Sequence, residues 1–142
     1  VTRFEIDGAR FSGFDGFCDE ISRQLIPGTY WGRNLNGFND ILRGGFGTPE
    51  GGFHLVWRNA DLSQDSLGRA ETLRVLRAQL KAATPEQRPL VLEDIEDVLR
   101  GSGDTLFDWL VMILQEHGPG GSESEDNVTL TLIGSDGAEM EA

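Results

Sequence analysis

The sequence is short of several things, and each shortage removes a class of function. It has one cysteine, Cys18, so no intramolecular disulfide framework can form. A lone thiol fits a reducing compartment, and a cytoplasmic location is the expectation. It has two histidines, His54 and His117, and neither stands at metal-ligand spacing from cysteine, histidine or clustered carboxylates. Glu116-His117 is not part of a His-Glu-x-x-His pair, so a zinc hydrolase is not expected, nor any other metal site. No apolar run approaches the roughly 18–20 residues that span a bilayer, and no signal-peptide pattern opens the sequence. Basic residues are scarce too: 12 Lys and Arg face 24 Asp and Glu, a net charge of −12. Binding nucleic acid through its phosphates needs clustered Lys and Arg, so this balance argues against it. It favours solubility and rapid encounter with a basic partner.

What is present describes one α/β domain. A chain of 142 residues, 38% hydrophobic and 25% charged, can bury a core without disulfides or a structural metal. Residues 1–6 alternate as a short strand, and Asp7-Gly8 reads as a turn. Phe17, Ile21 and Leu25 form one stripe of a helix over 16–25 that Asp15 is placed to cap, with Cys18 a small buried hydrophobe beside it. Phe53 to Trp57 is a compact apolar run suited to a buried strand, and His54 within it reads as a packed or rim residue. From 61 to 117 the pattern is helical. Thr84-Pro85-Glu86-Gln87 fits a capping box, Pro89 makes the start of the next helix uncertain, and Asp104 is placed to cap the last one. Residues 128–133 are a final β-branched strand, and 134–142 read as a loose acidic tail. Strands separated by helices point to a small three-stranded parallel sheet with right-handed crossovers and helices packed against it.

Chemistry-bearing residues concentrate in one stretch, 28–43: Gly-Thr-Tyr-Trp-Gly-Arg-Asn-Leu-Asn-Gly-Phe-Asn-Asp-Ile-Leu-Arg. Tyr30 and Trp31 sit in a glycine-framed loop that runs into a short helix. Leu35, Phe38 and Leu42 recur at three- to four-residue spacing and face a core; Asn34 is the expected N-cap. Asn36, Asn39, Asp40 and Arg43 fall on the opposite face. Two large aromatics beside a stripe of amides and one carboxylate make a contact surface. The five-glycine run over 44–52 lacks both the Lys-Ser/Thr ending of a P-loop and a Gly-x-Gly-x-x-Gly register, so it reads as a connection or a binding rim. Glu93, Asp94, Glu96 and Asp97 read as a solvated helix face.

This stretch and the order of elements resemble the barstar family, intracellular inhibitors of secreted ribonucleases. The family carries a Tyr-Tyr-Gly-x-Asn-Leu-Asp-Ala-Leu-Trp-Asp type motif after its first helix, and the run here is Tyr30-Trp31-Gly32-Arg33-Asn34-Leu35-Asn36-Gly37-Phe38-Asn39-Asp40. The Asp-Gly turn, the Leu-Val-Trp-Arg run at 55–58, the last helix and the terminal strand match as well. The resemblance covers about 2–58 and 104–133, with 68–103 standing as an inserted helical segment. It implies a barstar-like domain with no cofactor and no catalytic residue, monomeric when free. Its loop and helix at 28–43 would occlude the active site of a basic ribonuclease or nuclease toxin. By position, Asp40 would replace a substrate phosphate through charge-assisted hydrogen bonds. Tyr30 would form an aromatic wall with Trp31 beside it, and Gly32 and Asn34 would set loop shape and offer polar contacts. Glu116 would supply a secondary acidic contact.

Two departures bear on the partner. Asn36 stands where the family usually has aspartate, Asn39 where it usually has tryptophan, and Arg33 and Arg43 dilute local negative charge. They imply a nuclease with a less cationic mouth. The rival readings are a barstar-fold scaffold that binds no nuclease, and a small nucleotide- or RNA-acting enzyme built on Asp40, His54 and the glycine loop.

Overall fold

Alternation along three short strands decides where the core lies. The computed structural model describes residues 2–141. Strands β1 (Arg3–Asp7), β2 (Phe53–Arg58) and β3 (Val128–Ile133) are parallel and adjacent in that order. Their register stacks Phe4, Leu55 and Leu130 across the sheet, then Ile6, Trp57 and Leu132. Because side chains alternate at period two, these residues share one face. Against that face pack α1 (Phe14–Leu25), α2 (Leu35–Arg43) and α6 (Leu106–Glu116), through Phe17, Ile21, Phe38, Ile41, Leu110 and Leu114. Phe17 sits at the middle, its ring centroid 5.5 Å from Phe38 and 5.3 Å from Trp57. Cys18 is buried beside it, and burial pushes its thiol up to about 12, the behaviour of a small hydrophobe rather than a nucleophile.

The opposite face of the sheet is mostly polar, with Val56 buried among its polar neighbours. Parallel sheets are usually covered on both sides. Here Arg58 pairs with Glu5 at 3.3 Å, and His54 bridges Thr129 and Thr131 at 2.6 and 3.1 Å. His54 is a packed rim residue whose imidazole lies on the side of the sheet away from α2.

Three remaining helices connect β2 to α6: α3 (Ala60–Ser66), α4 (Arg69–Ala82) and α5 (Arg88–Arg100). Helices α4 and α5 form a hairpin with a small core of its own, Leu76, Ile95 and Val98, flanked by Leu73, Leu80, Val91 and Trp109. Trp109 lies on α6 and also packs against the main core, so it joins the two.

The structure corrects several expected boundaries. Asp15 does not cap α1: the helix starts at Phe14, whose backbone N–H donates to Glu71 Oε2 of α4 at 2.7 Å. Asp104 is not the cap of α6. Thr105 is, in a reciprocal box with Asp108. The Thr84–Gln87 box forms as expected, but in the turn before α5. Pro89 occupies the second position of that helix, where its missing N–H costs no hydrogen bond.

The expected loose tail is also corrected, and with it the strand count. Glu139–Met140 form a short antiparallel fourth strand, β4, on β3. Ser135 fixes the turn before it, donating from its backbone N–H and its hydroxyl to Asp61 at 2.8 and 2.5 Å.

Candidate protein-binding site

The loop before α2 is held from behind and exposed in front. Trp31 was expected on the contact surface, but only 4% of it is exposed. Its ring lies against Phe38, and its indole N–H donates to Ser22 Oγ of α1 at 2.8 Å. That satisfies the polar atom of a large buried side chain, so Trp31 is a core anchor of the loop and not one of its exposed groups. Arg33 is tied back as well, its guanidinium 2.8 Å from Asp19 and donating to the carbonyl of Asp15. Gly32 and Arg33 both take left-handed backbone, with φ of 83° and 53°. Glycine does so freely and arginine at a cost, which the tether to α1 offsets. The result turns Tyr30 outward, 84% exposed. An exposed ring on an anchored loop loses little entropy when a partner covers it.

Helix α2 begins where Asn34 Oδ1 accepts the N–H of Gly37 at 2.7 Å, the expected N-cap. Phe38, Ile41 and Leu42 are buried, while Asn36, Asp40 and Arg43 are exposed. Gly37 has no room for a side chain: a Cβ there would lie 2.3 Å from the carbonyl oxygen of Trp31. The loop and the helix it feeds are therefore in direct contact.

Asn39 departs from the expected stripe. It turns toward the end of α6, where its Oδ1 lies 2.5 Å from Nε2 of His117. His117 is fully buried, with Nδ1 2.6 Å from Asp126 Oδ2 and Nε2 3.6 Å from Glu123. Arg43 donates to both oxygens of Glu123, at 2.6 and 3.1 Å, and to Asp40 at 3.0 Å. One polar chain thus runs Asp126, His117, Glu123, Arg43, Asp40, with Asn39 joined to it at His117. Arg43 holds the Glu123 carboxyl below its ordinary range, and Glu123 in turn raises the guanidinium. His117, Glu123 and Asp126 bring ligand-type atoms within 4.8 Å of one another. Both imidazole nitrogens already face Asp126 and Asn39, and Glu123 is occupied by Arg43, so these groups are satisfied as a hydrogen-bond network.

The network was not read from the sequence. Its partners are 78 residues apart for Asn39 and His117, and 80 for Arg43 and Glu123. The signal available was local: His117 directly follows α6 and precedes Gly118, a helix end where a ring can point back into the fold.

Beside this network a groove of about 700 Å3 runs between α2, α6 and the turn at 119–123. Its floor is Leu35, Trp109, Met112 and Ile113; Asn36, Asn39, Glu116 and Glu123 stand around it. Glu116, the expected secondary contact, therefore shares a surface with Asn36 and Asn39. Its Oε2 accepts from the N–H of Ser122 at 3.1 Å and from the Ser122 hydroxyl, which holds the carboxyl below its ordinary range. The glycine run does not make a phosphate cradle. The hollow it lines, about 260 Å3, carries Glu50, Glu125 and Asp126 against one cation, Arg43, a balance that disfavours an anion. His54 lies across the sheet from Asp40, so the two do not form one site.

A family model for Barstar (barnase inhibitor) matches residues 1–93. The chain belongs to the Barstar family. The match takes in the sheet strands β1 and β2, helices α1 to α4, the start of α5 and the whole of 28–43; it ends before α6 and β3. No curated protein and no solved structure matches the chain. Barstar membership gives the kind of function, inhibition of a barnase-type ribonuclease by a protein that is itself no enzyme, and the kind of partner, a ribonuclease.

Proposed function

We propose that this protein binds one molecule of a basic ribonuclease or nuclease toxin in the cytoplasm and blocks its active site with the surface around 28–43. The observation that carries the reading is an outward-facing pair on an anchored support. Tyr30 stands clear of the loop, and Asp40, whose side chain is 52% exposed, stands on the helix that follows. A nuclease pocket that holds a phosphodiester with Arg, Lys and His is complementary to such a carboxylate. Inhibition needs no bond-making and no cofactor.

Arg43 narrows the choice of target. It already pairs with Asp40 at 3.0 Å, and Asn36 and Asn39 bring no charge. This favours a mouth less cationic than one evolved against a stripe of aspartates. The same pairing is the one observation on the side of a scaffold role, in which Asp40 serves only its own helix. A single titration separates the two readings. Adding the protein to assays of basic nucleases, beginning with any encoded beside it, is expected to abolish cleavage by one of them at one-to-one stoichiometry. A panel in which none is bound or slowed removes the inhibitor reading.

A further inference from the structure

The groove between α2 and α6 is more than a rim of the proposed surface, because its floor is apolar. Met112 is 45% exposed on α6, and Leu35 of α2 with Trp109 and Ile113 of α6 are only half-buried beside it. Exposed apolar surface gathered in one concavity and edged by polar groups marks a recognition site. The edge here is acidic. Glu116 uses Oε2 for Ser122, and among the described residues its Oε1 has no hydrogen-bond partner. Glu123 closes the far side, with one cation, Arg43, already on it. The groove is continuous with the proposed inhibitory face, since Asn36 and Asn39 belong to both.

We propose that this groove receives a large apolar side chain, aromatic by preference, from the surface of the nuclease, with an adjacent Arg or Lys of the same segment pairing with Glu116. The occupant follows from the lining. An apolar floor favours an aromatic ring, which removes about 150–250 Å2 from water when buried, and a carboxylate with an open oxygen favours a neighbouring cation. This rests on the nuclease reading. It adds that the target is chosen by an apolar anchor beside the charged pocket, where the amides at Asn36 and Asn39 supply no charge.

The test uses the isolated protein and two peptides of equal charge, acetyl-Trp-Arg-amide and acetyl-Ala-Arg-amide. The readouts are the Trp109 indole N–H and the Met112 and Ile113 methyl signals in nuclear magnetic resonance spectra. The Trp peptide is expected to shift these signals saturably and the Ala peptide by less than about a tenth as much. Met112→Asn, on an exposed position that leaves the core intact, is expected to weaken Trp-peptide binding at least fivefold, and Glu116→Gln at least twofold. Equal shifts from both peptides, shifts that do not saturate, or a Met112→Asn protein that binds like the parent would each overturn the proposal. No nuclease enters this experiment, so the two readings fail separately. Peptides that do not bind while a nuclease is still inhibited remove the groove alone. Peptides that bind while no nuclease is inhibited remove the nuclease as the occupant's source.

Discussion

Two adjacent aromatics, Tyr30 and Trp31, take opposite roles because the loop has an inside and an outside. Trp31 fills space against Phe38 and closes a hydrogen bond to Ser22. Trp31→Ala is expected to cost about 3–5 kcal/mol of folding stability, the usual result of removing a buried large aromatic, measured by urea unfolding. Tyr30→Ala should leave the same measurement within about 0.5 kcal/mol, since nothing buried is lost. At Asp40 the expectation reverses. Asp40→Ala should barely change stability, because its pair with Arg43 is exposed. Against the inhibited nuclease it should weaken binding by about 1.5–3 kcal/mol, the worth of a hydrogen bond to a charged group. Calorimetric titration reads that as roughly a ten- to hundredfold rise in Kd, and a change below about twofold would mean that Asp40 is not the phosphate substitute.

Helix α2 is where element and site coincide. It is only nine residues long, too short to be stable alone in water, so its order comes from packing and from its cap. Gly37 lets the helix approach the Trp31 carbonyl, and Asn34 closes the first turn. Gly37→Ala would ordinarily help a helix by about 1 kcal/mol. Here the added methyl meets the Trp31 carbonyl, and the expected outcome is a net loss of about 1–3 kcal/mol, typical of overpacking. Thermal denaturation checks the sign, and a rise in Tm would show that the loop gives way freely. Helix α6 has the matching task on the other side of the groove. It places Met112 and Glu116 outward and half-buries Trp109 in the groove floor, while its C-terminus delivers His117 to Asn39.

At the scale of the whole molecule the excess of carboxylates sets two behaviours. Glu71 is held below its ordinary range first by the Arg74 hydrogen bond, Glu123 by Arg43, Glu116 by Ser122 and Asp7 by Asn59. A carboxyl with a depressed folded pKa contributes stability above its unfolded value, and loses it as pH falls through the folded value. The window therefore opens below about pH 4.5, the ordinary value for Glu, and unfolding midpoints should fall steadily from there. Asp94, raised by burial and then by Asp97, works the other way and blunts the fall. A midpoint unchanged between pH 5 and pH 3 would contradict these pairings. The net charge of −12 would also steer a partner that is basic. The association rate should drop severalfold between about 50 and 500 mM salt, while dissociation changes far less; stopped-flow mixing separates them.

The sequence by itself determined the three parallel strands, the helical segments between them and the stretch on which the proposed function rests. Those rest on local pattern: alternation in β1, a compact apolar run in β2, β-branched residues in β3, three- and four-residue spacing in α1 and α2, and capping residues at Asn34 and Thr84. It also carried the family, through the run from Tyr30 to Asp40 that lies within the matched residues. Tertiary structure decided what one-dimensional spacing does not encode. The cap of α1 comes from Glu71, 57 residues on, which is why Asp15 was the wrong choice. The tail is ordered because β3 offers it an edge and Asp61 holds Ser135. Tyr30 and Trp31 look alike in sequence, and only the position of α1 behind the loop separates the exposed ring from the core one. The polar chain from Asp126 to Asp40 and the apolar groove beside it exist only once α2 and α6 are side by side. Their residues gain a shared meaning from a distance of a few ångströms, and chain order carries no record of it.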